Sequence, residues 1–112
     1  MIIHYDSKKI KVPVRKVSAL GELTGLMFKK KNTENLLFSF DKETQINIHS
    51  FFVFFNFLAI WLNDKNKIID FKIIKPFTIA VKPKKPFRKL IELPINAKNK
   101  KILRFFVDKG KV

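Results

Sequence analysis

Residues 46–62 read INIHSFFVFFNFLAIWL, five phenylalanines and a tryptophan with no charged side chain, in a chain of formal net charge +15. A neutral block of this kind is either a membrane span or the centre of a buried core, and length decides between them. A spanning helix needs about 20 consecutive apolar residues. The longest stretch without a strongly polar residue at either end runs from Phe51 to Leu62, and Asn56 interrupts it. As a helix it rises only about 18 Å at ~1.5 Å per residue, against a hydrocarbon core of ~30 Å. Phe, Val, Ile and Trp fit a pleated sheet better than a helix. A continuous apolar run is also what a strand covered on both faces looks like. The block therefore predicts two consecutive core strands bent near Asn56, and no membrane partner.

Weaker signals point to the same class. Ile10, Val12 and Val14 alternate with Lys11 and Pro13, the proline suiting an edge position. Leu36, Phe38 and Phe40 share a face, as do Ile69, Phe71 and Ile73; Phe77, Ile79 and Val81; Phe87, Ile91 and Leu93; and Leu103, Phe105 and Val107. Asn63-Asp64-Lys65-Asn66 reads as a hairpin turn. Val17, Leu20, Leu23 and Thr24 fall on one helical face, with Gly25 placed as a left-handed cap. The expected fold is mainly β: a compact jelly-roll-like sandwich or barrel with one short helix near residues 16–25, in a single domain over residues 1–112. Its expected core holds Phe52, Phe54, Ile60, Phe71, Ile73, Ile79, Leu93 and Phe105. Without cysteine, disulfides and thiolate metal sites are excluded. The N-terminus MIIHYDSKK has no apolar signal region, so a cytoplasmic location is expected.

Several blocks resemble a known family. Thr24-Gly25-Leu26-Met27-Phe28-Lys29, Leu36-Leu37-Phe38-Ser39-Phe40, Ile48-His49-Ser50-Phe51-Phe52-Val53-Phe54-Phe55 and Ile91-Glu92-Leu93-Pro94 follow in order across residues 12–95. They are similar to successive blocks of the archaeal and bacterial family catalogued as domain of unknown function 192, its archaeal members being the closer match. The resemblance implies a compact mainly-β domain with one short helix and no established activity. The chain departs from the pattern at Thr24, where members carry a basic residue, and at Asn56-Phe57-Leu58, where archaeal members read Pro-Ile-Asp. It departs again at Ile95-Asn96-Ala97 and at Lys109-Gly110-Lys111, in place of small residues and a late Gly-Asp. A polar site built on those acids would be depleted here.

Catalytic parts are few. His4 and His49 are the only histidines, no metal-ligand spacing exists, and three glycines do not make a phosphate loop. His49 and Ser50 are neighbours, which on a strand point to opposite faces. The carboxylates are scattered; Asp70 and Glu92 lie on neighbouring predicted strands, where a surface charge role among lysines is expected. No pair among His4, His49 and the nine carboxylates is expected within hydrogen-bond reach inside one enclosed pocket. The residues call for no cofactor, no metal and no enzymatic activity.

The charge offers the leading functional reading. Between Phe71 and Ile91 stand Lys72, Lys75, Lys82, Lys84, Lys85, Arg88 and Lys89 and no acid, with Phe77 and Phe87 interleaved. Such a face gives salt-sensitive, sequence-independent contact with nucleic acid or another polyanion. Lys, Ile, Phe and Asn are all specified by A/T-rich codons, so composition alone also accounts for the lysines. Phe77 and Phe87 are expected in the core, which leaves the face without stacking groups. The other reading is a sandwich that binds a small molecule or carbohydrate in a cleft near His49 and Asn56.

Overall fold

The computed structural model describes residues 1–17, 26, 29–50 and 52–107. Strands β1 (Ile2–Tyr5) and β2 (Lys8–Lys11) form an antiparallel hairpin. β3 (Arg15–Val17), β4 (Leu36–Thr44), β5 (Phe57–Leu62), β6 (Ile68–Ile74) and β7 (Phe87–Pro94) form a second sheet in the order β3-β4-β7-β5-β6. Only β3 runs parallel to its neighbour. The last strand therefore takes the middle. The sheet is open, with β3 and β6 at its edges, so the fold is mainly β and sandwich-like rather than a closed barrel.

Both faces of this sheet are covered, which explains the neutral block. All six residues of β5 are buried. Phe57, Ala59 and Trp61 enter one layer with Leu36, Phe38, Phe87 and Leu90. Leu58, Ile60 and Leu62 enter the other with Leu37, Ile91 and Leu93, under Ile3 and Val12 from the hairpin region. Ile69 joins the first layer rather than Phe71 and Ile73, because the pairing slips between Trp61 and Leu62. The Asn63–Asn66 turn forms as expected: Asn63 Oδ1 accepts from the backbone N–H groups of Lys65 and Lys67, both at 2.9 Å, and Asn66 takes φ of 64°.

Four expectations need correction. Residues 100–107 form a helix, α1 (Lys100–Val107), not a strand. Leu103, Phe105 and Val107 alternate, but Ile102, Phe105 and Phe106 also satisfy helical spacing, and Ile102 and Phe106 are the pair that α1 buries on the second layer. Phe106 meets Phe71 edge to face at 4.6 Å. The strand Arg15–Val17 overlaps the start of the helix expected at residues 16–25, the rest of which lies outside the described residues. Upstream of β5 the described residues of the block form a loop, not a strand, tied down by an Ile48–Val81 bridge. Finally, the core prediction splits: Ile60, Phe71 and Leu93 are buried, Ile73 and Phe105 are half-buried against them, and Phe52, Phe54 and Ile79 are exposed, as is Phe77, also expected inside.

That last error has a structural origin in Ser50. Fully buried, its hydroxyl donates to the Lys75 carbonyl and accepts from the Thr78 backbone N–H, both at 2.6 Å. Its backbone N–H donates to the Thr78 carbonyl at 3.0 Å, and its carbonyl accepts from Phe77 at 2.9 Å and Val53 at 3.1 Å. These bonds clamp Ser50 against residues 75–78. Phe52 and Phe77 sit there at φ of 58° and 60°. Positive φ in a bulky side chain costs of order 1–3 kcal/mol and persists only where surrounding contacts hold it.

Candidate functional site: a cleft over the central strand

The feature most demanding of explanation is Glu92. The β7 register sets it between Leu36 of β4 and Ala59 of β5, on the face of Phe38, Leu90 and Trp61. Its residue is 8% exposed. Burial pushes its carboxyl up from 4.5 to about 7, against the lowering effect of a hydrogen bond from the Leu26 backbone. A carboxyl at this depth favours its neutral form, because an ion there has lost its water.

Glu92 belongs to the wall of a cleft of about 230 Å³, bounded by Leu26, Phe38, Phe40, Val53 and Leu90, with Asn47 and His49 at the rim. The opening has a local cause. Ser39 pairs with Lys89 and Thr44 with Phe87, so residues 40–43 bow out opposite Arg88 alone. The Arg88 Nε donates to the Phe40 carbonyl at 3.0 Å and holds that bow. Chemically, a neutral Glu92 offers one O–H donor and acceptor oxygens inside apolar walls.

The sequence-predicted residues distribute unevenly over this geometry. His49 lies at the cleft rim, whereas Asn56 lies away from it, its carbonyl accepting from the Ile95 N–H at 3.1 Å. Ser50 is committed to the loops and points its hydroxyl away from any role with His49. Asp70 does not meet Glu92: β5 separates their strands, and Asp70 accepts from the backbone N–H groups of Phe71 and Lys84. His49 and Glu92 line the same cleft. Glu92 is buried, not on the surface that its lysine neighbours predict. Its visible signal was an acid inside Leu90-Ile91-Glu92-Leu93, an otherwise continuous apolar run.

The lysines lie elsewhere. Lys72, Lys75, Lys82, Lys84 and Lys85 are exposed. Lys72 Nζ donates to the Lys82 carbonyl at 3.0 Å, and these two with Lys75 line a shallow hollow beside β6. Arg88 and Lys89 are half-buried neighbours on one strand and so project to opposite faces. Lys89 Nζ donates to Asn66 Oδ1 at 2.6 Å. Among the described residues no three histidine, aspartate or glutamate side chains cluster as metal ligands, and no helix is long and apolar enough to cross a membrane.

The sequence profile of domain of unknown function 192 (DUF192), described as an uncharacterised ACR, matches residues 2–104. The chain belongs to the DUF192 family. UPF0127 protein TK1120 of Thermococcus kodakarensis is 35% identical over 78 residues, 68% of this chain and 49% of that protein. The chain thus spans about half the length of this curated relative. Two crystal structures are similar in fold. A protein of unknown function from Novosphingobium aromaticivorans superposes with a TM-score of 0.72 at 10% identity, over 90% of this chain and 74% of that one. A candidate transcription regulator from Sinorhizobium meliloti gives a TM-score of 0.73 at 13% identity, over 90% and 81%. At such identities the likeness concerns the fold alone.

Proposed function

We propose that this DUF192 domain is a non-catalytic binding module whose cleft takes a small uncharged molecule, with Glu92 as its polar anchor. One observation carries the reading: a carboxyl on the central strand, buried in the wall of a mainly apolar cleft, with the Leu26 backbone bonded to it. Its neutral form carries an O–H donor that a ligand's acceptor oxygen can meet. The volume of about 230 Å³ lies below the ~300 Å³ at which drug-sized pockets begin. It suits a single ring bearing a hydroxyl or carbonyl, such as a sugar or a simple aromatic alcohol.

The test is an amide chemical-shift titration with phenol, benzyl alcohol and methyl β-glucoside at millimolar concentration. Shifts at Leu26, Asn47, His49 and Glu92 that vanish in Glu92→Leu are the expected result. Undisturbed cleft amides with all three probes would overturn the reading.

A second reading is supported by the exposure of five lysines between residues 72 and 85. They suit weak, sequence-independent contact with a polyanion such as nucleic acid, with affinities of ~10⁻⁴ to 10⁻⁶ M that fall as salt rises. Arg88 contributes less than its charge suggests, being tied to Phe40. Oligonucleotide titration at low and moderate salt tests this; absence of binding at low salt removes it.

A further inference from the structure

Phe52, Phe54, Phe77 and Ile79 are 48%, 60%, 51% and 76% exposed. Three of them form one cluster: Phe77 meets Phe52 edge to face at 6.4 Å and Phe54 at 5.6 Å. The cluster crowns the two loops that Ser50 clamps together. Contiguous exposed apolar surface of this kind marks a contact with a protein or a membrane, because water solvates it poorly. The loop that carries Phe77 and Ile79 also walls the hollow of Lys72, Lys75 and Lys82. An apolar crown therefore stands directly beside a cationic flank.

We propose that this crown docks onto an anionic lipid surface, the rings and Ile79 entering the interface while the neighbouring lysines meet the headgroups. The inference rests on the polyanion reading of the lysine face and names its partner. Three observations favour lipid over nucleic acid. Ile79, the most exposed large apolar side chain among the described residues, offers an acyl chain contact area but gives a base no ring to stack on. The three rings pack edge to face, which makes a compact plug rather than a row of open platforms. The flanking cations are all lysines, whose long stems let the ammonium reach headgroups while the apolar part lies deeper. Arginine, the usual partner for base edges, is missing from the patch. An apolar run too short to span a bilayer can still seat at its surface.

The experiment is vesicle flotation of the full chain with phosphatidylcholine alone and with three parts phosphatidylcholine to one of phosphatidylglycerol, beside a labelled single-stranded oligonucleotide. Binding is expected only to the anionic vesicles. Phe54→Ser and Phe77→Ser should each lower it about tenfold, as half-burying a ring predicts. A Lys72→Gln, Lys75→Gln, Lys82→Gln variant should lose it while its circular dichroism and unfolding midpoint stay unchanged. Anionic-vesicle binding that ignores both Phe substitutions overturns the inference, because charge alone then suffices. Oligonucleotide binding without vesicle binding overturns it too, but leaves the polyanion reading standing. Binding to neither removes both.

Discussion

Glu92 makes the stability of this domain depend on pH in a direction opposite to that of most paired carboxylates. In the fold its carboxyl holds a proton up to about pH 7, whereas the unfolded chain releases it at the ordinary 4.5. Between those values the folded state binds more protons than the unfolded state, so stability falls as pH rises. The contribution is complete below 4.5 and gone above about 7. At about 1.4 kcal/mol per pH unit, the full difference is roughly 3 kcal/mol, a sizeable share of a small domain's total stability.

Urea unfolding from about pH 4 to about pH 8, followed by Trp61 fluorescence, measures it. Trp61 is the sole tryptophan and is wholly buried, so its emission reports the core. The partner variant is Glu92→Gln, which keeps shape and an acceptor for the Leu26 N–H but cannot ionise. The other carboxylates are common to both proteins and cancel in the difference. Wild type should lose roughly 3 kcal/mol relative to the variant across this range. A constant difference across the window would show that Glu92 is hydrated, and would take the cleft reading with it.

Phe54→Ala should cost under about 1 kcal/mol, because its ring is already in water, while Leu58→Ala on β5 should cost ~2–5 kcal/mol; chemical denaturation of the two variants decides. Asn99→Ala should cost ~2–4 kcal/mol by calorimetry. It removes a buried reciprocal amide pair with Asn35, at 2.8 and 3.0 Å, and a 2.6 Å bond to the Pro94 carbonyl. Ser50→Ala should cost ~1–3 kcal/mol by stranding the Thr78 N–H, and should broaden amide resonances of residues 75–81. Unchanged spectra there would show that the clamp does not depend on the hydroxyl.

What the sequence disclosed depended on whether a local pattern admitted one structural answer. The run Phe57–Leu62 admits one, since six consecutive apolar residues between turn signals need cover on both sides. Leu36, Phe38 and Phe40 were equally plain. Residues 102–107 admit two, because apolar residues at 102, 103, 105 and 106 fit a helix while 103, 105 and 107 fit a strand. Only the neighbouring Asn96, whose Oδ1 accepts from the Asn99 N–H at 3.2 Å and starts the preceding turn, leans toward the helix. Glu92 was hidden for another reason. Its burial depends on β7 inserting between β4 and β5, a long-range order that no local pattern carries.

Residues 52–55 show the same limit at its sharpest. Their alternation is real: Val53 and Phe55 are buried while Phe52 and Phe54 face out. A period of two says that neighbours part company, but not which set goes inward, and a shift of one residue exchanges them all. Where one set is polar, solvation makes the choice. Here both sets are apolar, so the pattern is silent, and the Ser50 clamp with its positive-φ neighbours decides instead. The interior accepts Val53 and Phe55 and leaves two phenylalanines that composition alone assigns to the core. Single exposed apolar side chains are ordinary. Phe52 and Phe54 are different, because Phe77 of a second loop gathers them into one surface. Ile48, His49 and Val53 of the same short segment meanwhile line the Glu92 cleft. One loop thus carries cleft wall on one side and aromatic crown on the other, so whatever seats on either side restrains the backbone that shapes both.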